Sequence, residues 1–333
     1  MTIDKPETAG RVSILSLASS NLFGLAAIVA AFWAIFISLA PSIASSFSLF
    51  AISRSLGVDI VVGFSTMVVL ATGGMNLAIG SIGVCAVMFA GYLMQDLGVP
   101  VPLALLAALA LGAASGWANG VAIVATGVNA FVVTLASASL FYGAMLITTH
   151  GTPFEGLPPV LAAFGRMRWG FVSPMLALAL SIGVALAILF HFTALGREIL
   201  AVGANARAAR MSGIRVDRVI IVAHTLSGLL ATVAGLMTMA RLGAAIPAIG
   251  RDWLLPSFLA PVLGGTLLSG GAVSIGGTVL GALLIATLRA GILTLQVANF
   301  WLQLFLGLVL LCSVALDRYR GGYLERKSVR ARA

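Results

Sequence analysis

The chain has 333 residues, of which 60% are hydrophobic and only 9% charged, with a formal net charge of +9. An ordinary soluble domain carries about 25% charged residues, so a water-soluble fold is excluded. Nucleic-acid binding is excluded too, because the basic residues gather at the ends of apolar runs and in one loop, where membrane topology or anionic headgroups account for them.

Apolar stretches close to the ~20 residues needed to cross a hydrocarbon core recur along the chain, and the strand-period alternation of an outer-membrane barrel does not. The expected fold class is all-α, a polytopic membrane protein with about ten transmembrane helices. Residues 1–21 read as a polar arm, and the first span is longer than a signal-peptide core, so no cleaved signal is expected. Spans are expected at 22–40, 58–75, 77–95, 102–126, 130–149, 171–192, 219–240, 254–269, 272–293 and 299–316, followed by a basic tail at 317–333. Basic residues are retained on the cytoplasmic side. They concentrate in the arm, in the 193–218 loop and in the tail, so both termini and that loop are expected in the cytoplasm, with six spans before the loop.

Two glycine-interrupted segments stand out: Gly73-Gly74-Met75-Asn76-Leu77-Ala78-Ile79-Gly80-Ser81, and Gly264-Gly265-Thr266 running on to Gly270-Gly271. Such breaks at matching places in two halves point to a pseudo-symmetric transporter with its path between the halves, although tight turns between packed spans give the same pattern. Gly74, Asn76, Thr134, Gly264, Gly265 and Thr266 are the candidate path residues. Gly112, Gly116 and Gly120 share one helix face, as do Gly277 and Gly281, and read as close helix packing.

The 193–218 loop is the one sizeable polar interior segment and carries five arginines. Gly196 is expected to end the sixth span, and residues 206–211 form a short helix stopped by Ser212 and Gly213. That gives a lever able to dock on a soluble motor, unless the loop merely fixes topology. No P-loop motif occurs, so any use of ATP must come from a partner. His150, His191 and His224 lack metal-ligand spacing, and no cofactor is expected. Cys85 and Cys312 read as packing residues. Asn119 and His224 are expected to hydrogen-bond between helices, and Arg289 to snorkel. Asp59, Asp96, Asp252 and Glu155 are placed at span ends or in loops, which weakens ion coupling.

The two glycine runs, the run Ala130-Phe131-Val132-Val133-Thr134-Leu135 and the run Gly203-Ala204-Asn205 through Gly213-Ile214 together resemble the permease subunits of bacterial ribose/xylose/galactose-type ABC importers, over about residues 60–318. The resemblance implies a homodimeric inner-membrane permease that takes a monosaccharide from a periplasmic binding protein and is driven by cytoplasmic ATPase subunits. It places the ATPase contact on Asn205, Ala208, Ala209, Arg210, Ser212 and Gly213, and the binding-protein contact on loops 152–168 and 243–253. It also implies departures. Asn76 replaces an aspartate, Trp253-Leu254-Leu255-Pro256 replaces a run with two acidic residues, and Tyr142 lies near a usual arginine, so a modified path lining or a different sugar or polyol is expected, and ribose is not named. The rival readings are a branched-chain amino-acid permease, an ion-coupled carrier and a membrane scaffold.

Overall fold

The computed structural model describes residues 14–296, 301, 303–308 and 311. In chain order the helices are α1 (Ile14–Leu39), α2 (Ser46–Leu70), α3 (Ile79–Gln95), α4 (Val101–Thr126), α5 (Ala130–Thr149), α6 (Pro159–Arg166), α7 (Pro174–Phe192), α8 (Ala194–Ala204), α9 (Ala206–Met211), α10 (Val216–Leu242), α11 (Leu254–Leu263) and α12 (Ile275–Thr294). No strand forms among the described residues, so the all-helical class holds. Seven helices (α1, α2, α4, α5, α7, α10 and α12) are long and apolar enough to cross a membrane, and α3 and α11 are shorter apolar helices. The expected tenth span falls largely outside the described residues, of which 301, 303–308 and 311 are helical. Cys312, most of the polar arm and the basic tail also lie outside them.

Several boundaries differ from the sequence reading: α1 starts at Ile14, within the expected arm, α2 ends at Leu70 and α11 at Leu263, short of 75 and 269, and two further differences have identifiable reasons. The second span does not begin near residue 58. Ser45 caps α2 by accepting from the Ser48 amide at 3.2 Å, so the helix starts at Ser46 and carries Arg54 and Asp59 within it. Nor does Gly196 end the sixth span. Thr193 ends α7 and caps α8 by accepting from the Gly196 amide at 3.1 Å. Gly196 sits inside α8, where its missing side chain lets that helix lie on the Leu189 and Phe190 backbone.

The helix α2 is buried along most of its length and runs beside α10, the other central helix. Apolar burial contributes little between helices in lipid, where the tails are as apolar as the side chains, so close backbone approach has to hold the bundle. It does so where the sequence reading expected it. A Cβ on Gly116 would run into the His224 carbonyl, one on Gly112 into Thr232 and one on Gly120 into Ile221, so this face of α4 lies directly on α10. Gly277 and Gly281 in α12 face Gly264 and Ala260 in the same manner.

The helices α8 and α9 lie at one end of the bundle and α6 at the other, where Gly165 abuts Ala240 near the end of α10. Two crossings are discontinuous. After α2, residues 71–78 leave the helix and rise from the α8–α9 end until α3 starts at Ile79. After α10, residues 243–253 descend from the α6 end, where Phe154 and Ala245 exchange backbone hydrogen bonds of 2.9 Å. They reach inward until Gly250 touches Gly80 and the Trp253 ring lies on Gly83. Gly83 packs against Ala231 and Gly235, so this meeting point is level with the middle of α10. The amino ends of α3 and α11 therefore meet inside the bundle.

Candidate functional site

The first break is built by polar groups that satisfy its backbone, as any non-helical stretch at membrane depth requires. Asn76 is fully buried, donates from Nδ2 to Ser227 Oγ at 2.9 Å and accepts from the Ala78 amide at 2.9 Å. Thr134 Oγ1 accepts from the Leu77 amide at 3.1 Å, and Ser65 Oγ donates to the Ser227 carbonyl at 2.8 Å. Asn76 and Thr134 thus tie the break to α10 and α5, and Ser65 extends the tie to α2 through Ser227. Neighbouring Gly74 is half-buried, with Val69 and Thr72 at 3.3 Å from where a Cβ would sit.

The second break, distinct from the 243–253 stretch, is the turn of residues 264–274 between α11 and α12 at the α8–α9 end. A Cβ on Gly264 would strike the Gly277 backbone; Gly265 has φ +89° and Thr266 is fully buried, its amide donating to the Pro261 carbonyl at 2.9 Å. Thr266 Oγ1 accepts from the Ser274 amide at 3.3 Å. The two sets of expected path residues are separate, but the glycine runs that carry them touch: Gly270 and Gly73 are in backbone contact, and the Gly271 amide donates to the Ala71 carbonyl at 3.1 Å. Gly203, at the end of α8, fits between Ala71 and Gly271 with no space for a side chain. The sequence reading did not single out Gly203 as the joint, although Gly203-Ala204-Asn205 was quoted among the motifs.

The expected short helix over residues 206–211 forms. Asn205 caps α9 by accepting from the Ala208 amide at 3.0 Å, Ala209 is buried, and Ser212 ends the helix ahead of Gly213 at φ +85°. Arg210 pairs with Asp217 at 2.9 Å with both side chains exposed, and Met211 is 86% exposed at the outer tip.

One pairing of charged residues escaped the sequence reading. Asp59, placed there at a span end, is 5% exposed inside α2 and pairs with Arg289 at 3.4 Å, so Arg289 does not simply snorkel. They lie 230 positions apart, so no spacing rule joins them; opposite charges in two apolar helices were the only available signal. Arg241, Asp252 and Trp253 line the same cavity of about 150 Å³. His224 bonds the Ile220 carbonyl of its own helix at 3.0 Å and Asn119 Nδ2 has no protein partner, so neither makes the expected bond between helices.

A second cavity, of about 300 Å³, lies where α3 and α11 start, between Gly80, Ser81, Ser139, Tyr142, Gly250 and Arg251. Arg251 donates to Tyr142 Oη from Nη2 at 2.8 Å and from Nε at 3.1 Å. The lower part of the 243–253 stretch is thus an inner wall, where the sequence reading had it as a surface loop. No group of three or more His, Cys, Asp or Glu side chains able to hold a metal occurs among the described residues.

The branched-chain amino acid transport system / permease component family matches residues 58–314. The ribose import permease RbsC of Bacillus subtilis is 36% identical over 284 residues, 84% of this chain and 87% of that protein. RbsC of Escherichia coli K12 is 34% identical over 293 residues, 85% and 89% of the two chains. The autoinducer 2 import permease LsrD of Salmonella typhi is 34% identical over 258 residues, 75% and 77%. No solved structure matches the chain. With a family match across most of its length and relatives above 30% identity over three quarters of it, the chain belongs to this family of transport-system permeases.

Proposed function

We propose that the chain is the permease subunit of an ATP-binding-cassette importer that passes a monosaccharide or related polyol inward by alternating access, with ATP hydrolysed by a partner. The observation that carries the mechanism is the joint at Gly203. The polar α8–α9 segment bears on both backbone breaks at once through backbone contacts alone. A push on α9 reaches both breaks without slack, because no side chain lies between to absorb it. The named relatives import ribose and autoinducer 2, which favours a sugar-like cargo over an amino acid although the family description names the latter.

In this reading α3 and α11, each joined to its extended approach, also cross the membrane. With the helical segment near residues 301–311 they bring the count to ten. The two broken crossings enter from opposite ends, which supports two pseudo-symmetric halves. Both termini and α8–α9 face the cytoplasm of a bacterial inner membrane. Asn205, Ala208, Ala209, Arg210, Ser212 and Gly213 contact the ATPase. Gly74, Asn76, Thr134, Gly264, Gly265 and Thr266 hold the two breaks that wall the path. The joined loops around Phe154 and Ala245 receive a periplasmic binding protein, and a second copy of the chain completes the path. The domain division is a short arm, a permease domain over 22–316 with its coupling loop at 193–218, and a tail.

The test is ATP hydrolysis in proteoliposomes holding this permease with its partner ATPase and binding protein, across pentoses, hexoses, polyols and branched-chain amino acids. Stimulation by one sugar or polyol is the expected result. Stimulation by amino acids alone moves the chain to the other branch, and uptake without any ATPase establishes an ion-coupled carrier instead.

A further inference from the structure

We propose that the cavity between α3, α5 and the descending stretch recognises an anionic group, so that the cargo is a sugar acid or similar polyhydroxylated carboxylate and not a neutral sugar. This rests on the reading of the chain as an importer permease whose path passes this cavity. The first argument is an uncompensated charge. Arg251 follows Gly250, which touches Gly80 level with the middle of α10. Its side chain is exposed and lines the cavity, and ionised residues within membrane bundles that face such a space mark ligand pathways. Its protein partner is the neutral Tyr142 phenol, with the guanidinium also 5.5 Å from the ring centroid. Ion pairs among the described residues are Arg210–Asp217 and Arg289–Asp59, and no carboxylate lies within bridging distance of Arg251. The cavity wall contains no Asp or Glu. Two of the five guanidinium N–H groups go to Tyr142, and the others remain available for a ligand.

The second argument is the field of the backbone. Both α3 and α11 begin at this cavity, and a helix amino end carries unpaired N–H groups and a partial positive charge. Neither cap residue supplies a side-chain acceptor and neither first turn holds an acidic residue, the nearest polar groups being Asn76 Oδ1 on the Ala78 amide and Asp252 ahead of the α11 cap. Two such ends and an unneutralised arginine around one space of about 300 Å³ favour a carboxylate there. Ser81 and Ser139 supply groups for sugar hydroxyls, the Tyr142 hydroxyl being engaged with Arg251 and the Pro247 carbonyl. The neighbouring cavity makes the contrast: Arg241 and Arg289 there face Asp59 and Asp252, so its charges are balanced internally and call for no charged ligand.

The test compares D-glucose with D-gluconate, D-galactose with D-galacturonate and D-xylose with D-xylonate. ATP-driven uptake is measured in proteoliposomes holding the full chain, its ATPase and its binding protein. In at least one pair the acid is expected to exceed the neutral sugar. Replacing Arg251 in the permease alone (Arg251→Gln) should lower uptake of that acid roughly tenfold or more, the loss of a charge-assisted pair. Arg251→Lys should retain part of it, and Tyr142→Phe should keep the preference for the acid. Uptake of neutral sugars with none of the acids in the wild-type complex overturns the proposal and leaves the importer reading standing. An Arg251→Gln loss that is equal for acids and neutral sugars overturns it as well, assigning Arg251 to holding Tyr142. Stimulation by amino acids alone removes the importer reading and this proposal together.

Discussion

The two ends of the bundle are held together in opposite ways. At the α8–α9 end, Gly73, Gly203, Gly270 and Gly271 bring three chain segments into backbone contact with no side chains between them. Toward the α6 end the same crossings are lined by side chains and cavities, with Asp59 and Arg289 3.4 Å apart, longer than the ~2.8 Å of a tight charged hydrogen bond. The first arrangement transmits displacement and tolerates no insertion. The second leaves room for a ligand to come between groups. The difference teaches that coupling and recognition need opposite packing, and that this chain separates them along one axis.

The comparison is tested hardest at the charged end. Replacing Arg289 by Ala leaves Asp59 buried without its partner and should destabilise by about 3–5 kcal/mol, read from thermal unfolding in detergent. Asp59→Asn combined with Arg289→Asn should recover most of that loss. If the double variant is no better than Arg289→Ala, the pair is not the source of the effect.

At the glycine end, Gly264→Leu drives a side chain into the Gly277 backbone and should cost about 1–3 kcal/mol and most ATP-driven uptake. The neighbouring Gly276 has open space where a Cβ would go, so Gly276→Ala should leave uptake unchanged. Equal behaviour of the two variants would remove the backbone-contact argument. Smaller still, Asn205→Ala removes the α9 cap for about 1 kcal/mol, seen as local hydrogen exchange in residues 206–211. Least of all in stability is Arg210→Glu: an exposed pair of this kind contributes under about 1 kcal/mol, so the unfolding temperature should barely move. Co-purification with the ATPase should nevertheless fall. Unchanged co-purification would separate α9 from the coupling role.

The reading of α9 from sequence succeeded because its signals are local. A run of good helix formers, a capping Asn205 and a glycine stop at Gly213 act over a few residues. The same holds for Gly112, Gly116 and Gly120, whose spacing of four puts them on one helix face whatever they meet. The start of α2 was missed because its first turns are rich in serine and carry Arg54, a pattern that reads as loop until Ser45 is seen to cap a helix. The inward course of residues 243–253 was missed because nothing local distinguishes a loop that descends from one that stays at the surface.

The sequence by itself determined that this is an all-helical membrane protein, where its helix-packing glycines lie, where a polar segment interrupts the spans, and its permease family. The first three follow from composition and from spacings shorter than about two helical turns, and the family from motifs, spread along the chain, that resemble those of known permeases. Only the tertiary structure decided that Gly203 lies under both breaks, that Asp59 meets Arg289 across 230 positions, and that α3 and α11 begin face to face beside Arg251. Each of those depends on which faces of distant helices touch. In lipid that choice is made by backbone fit between whole helices, a property that no short stretch of sequence carries.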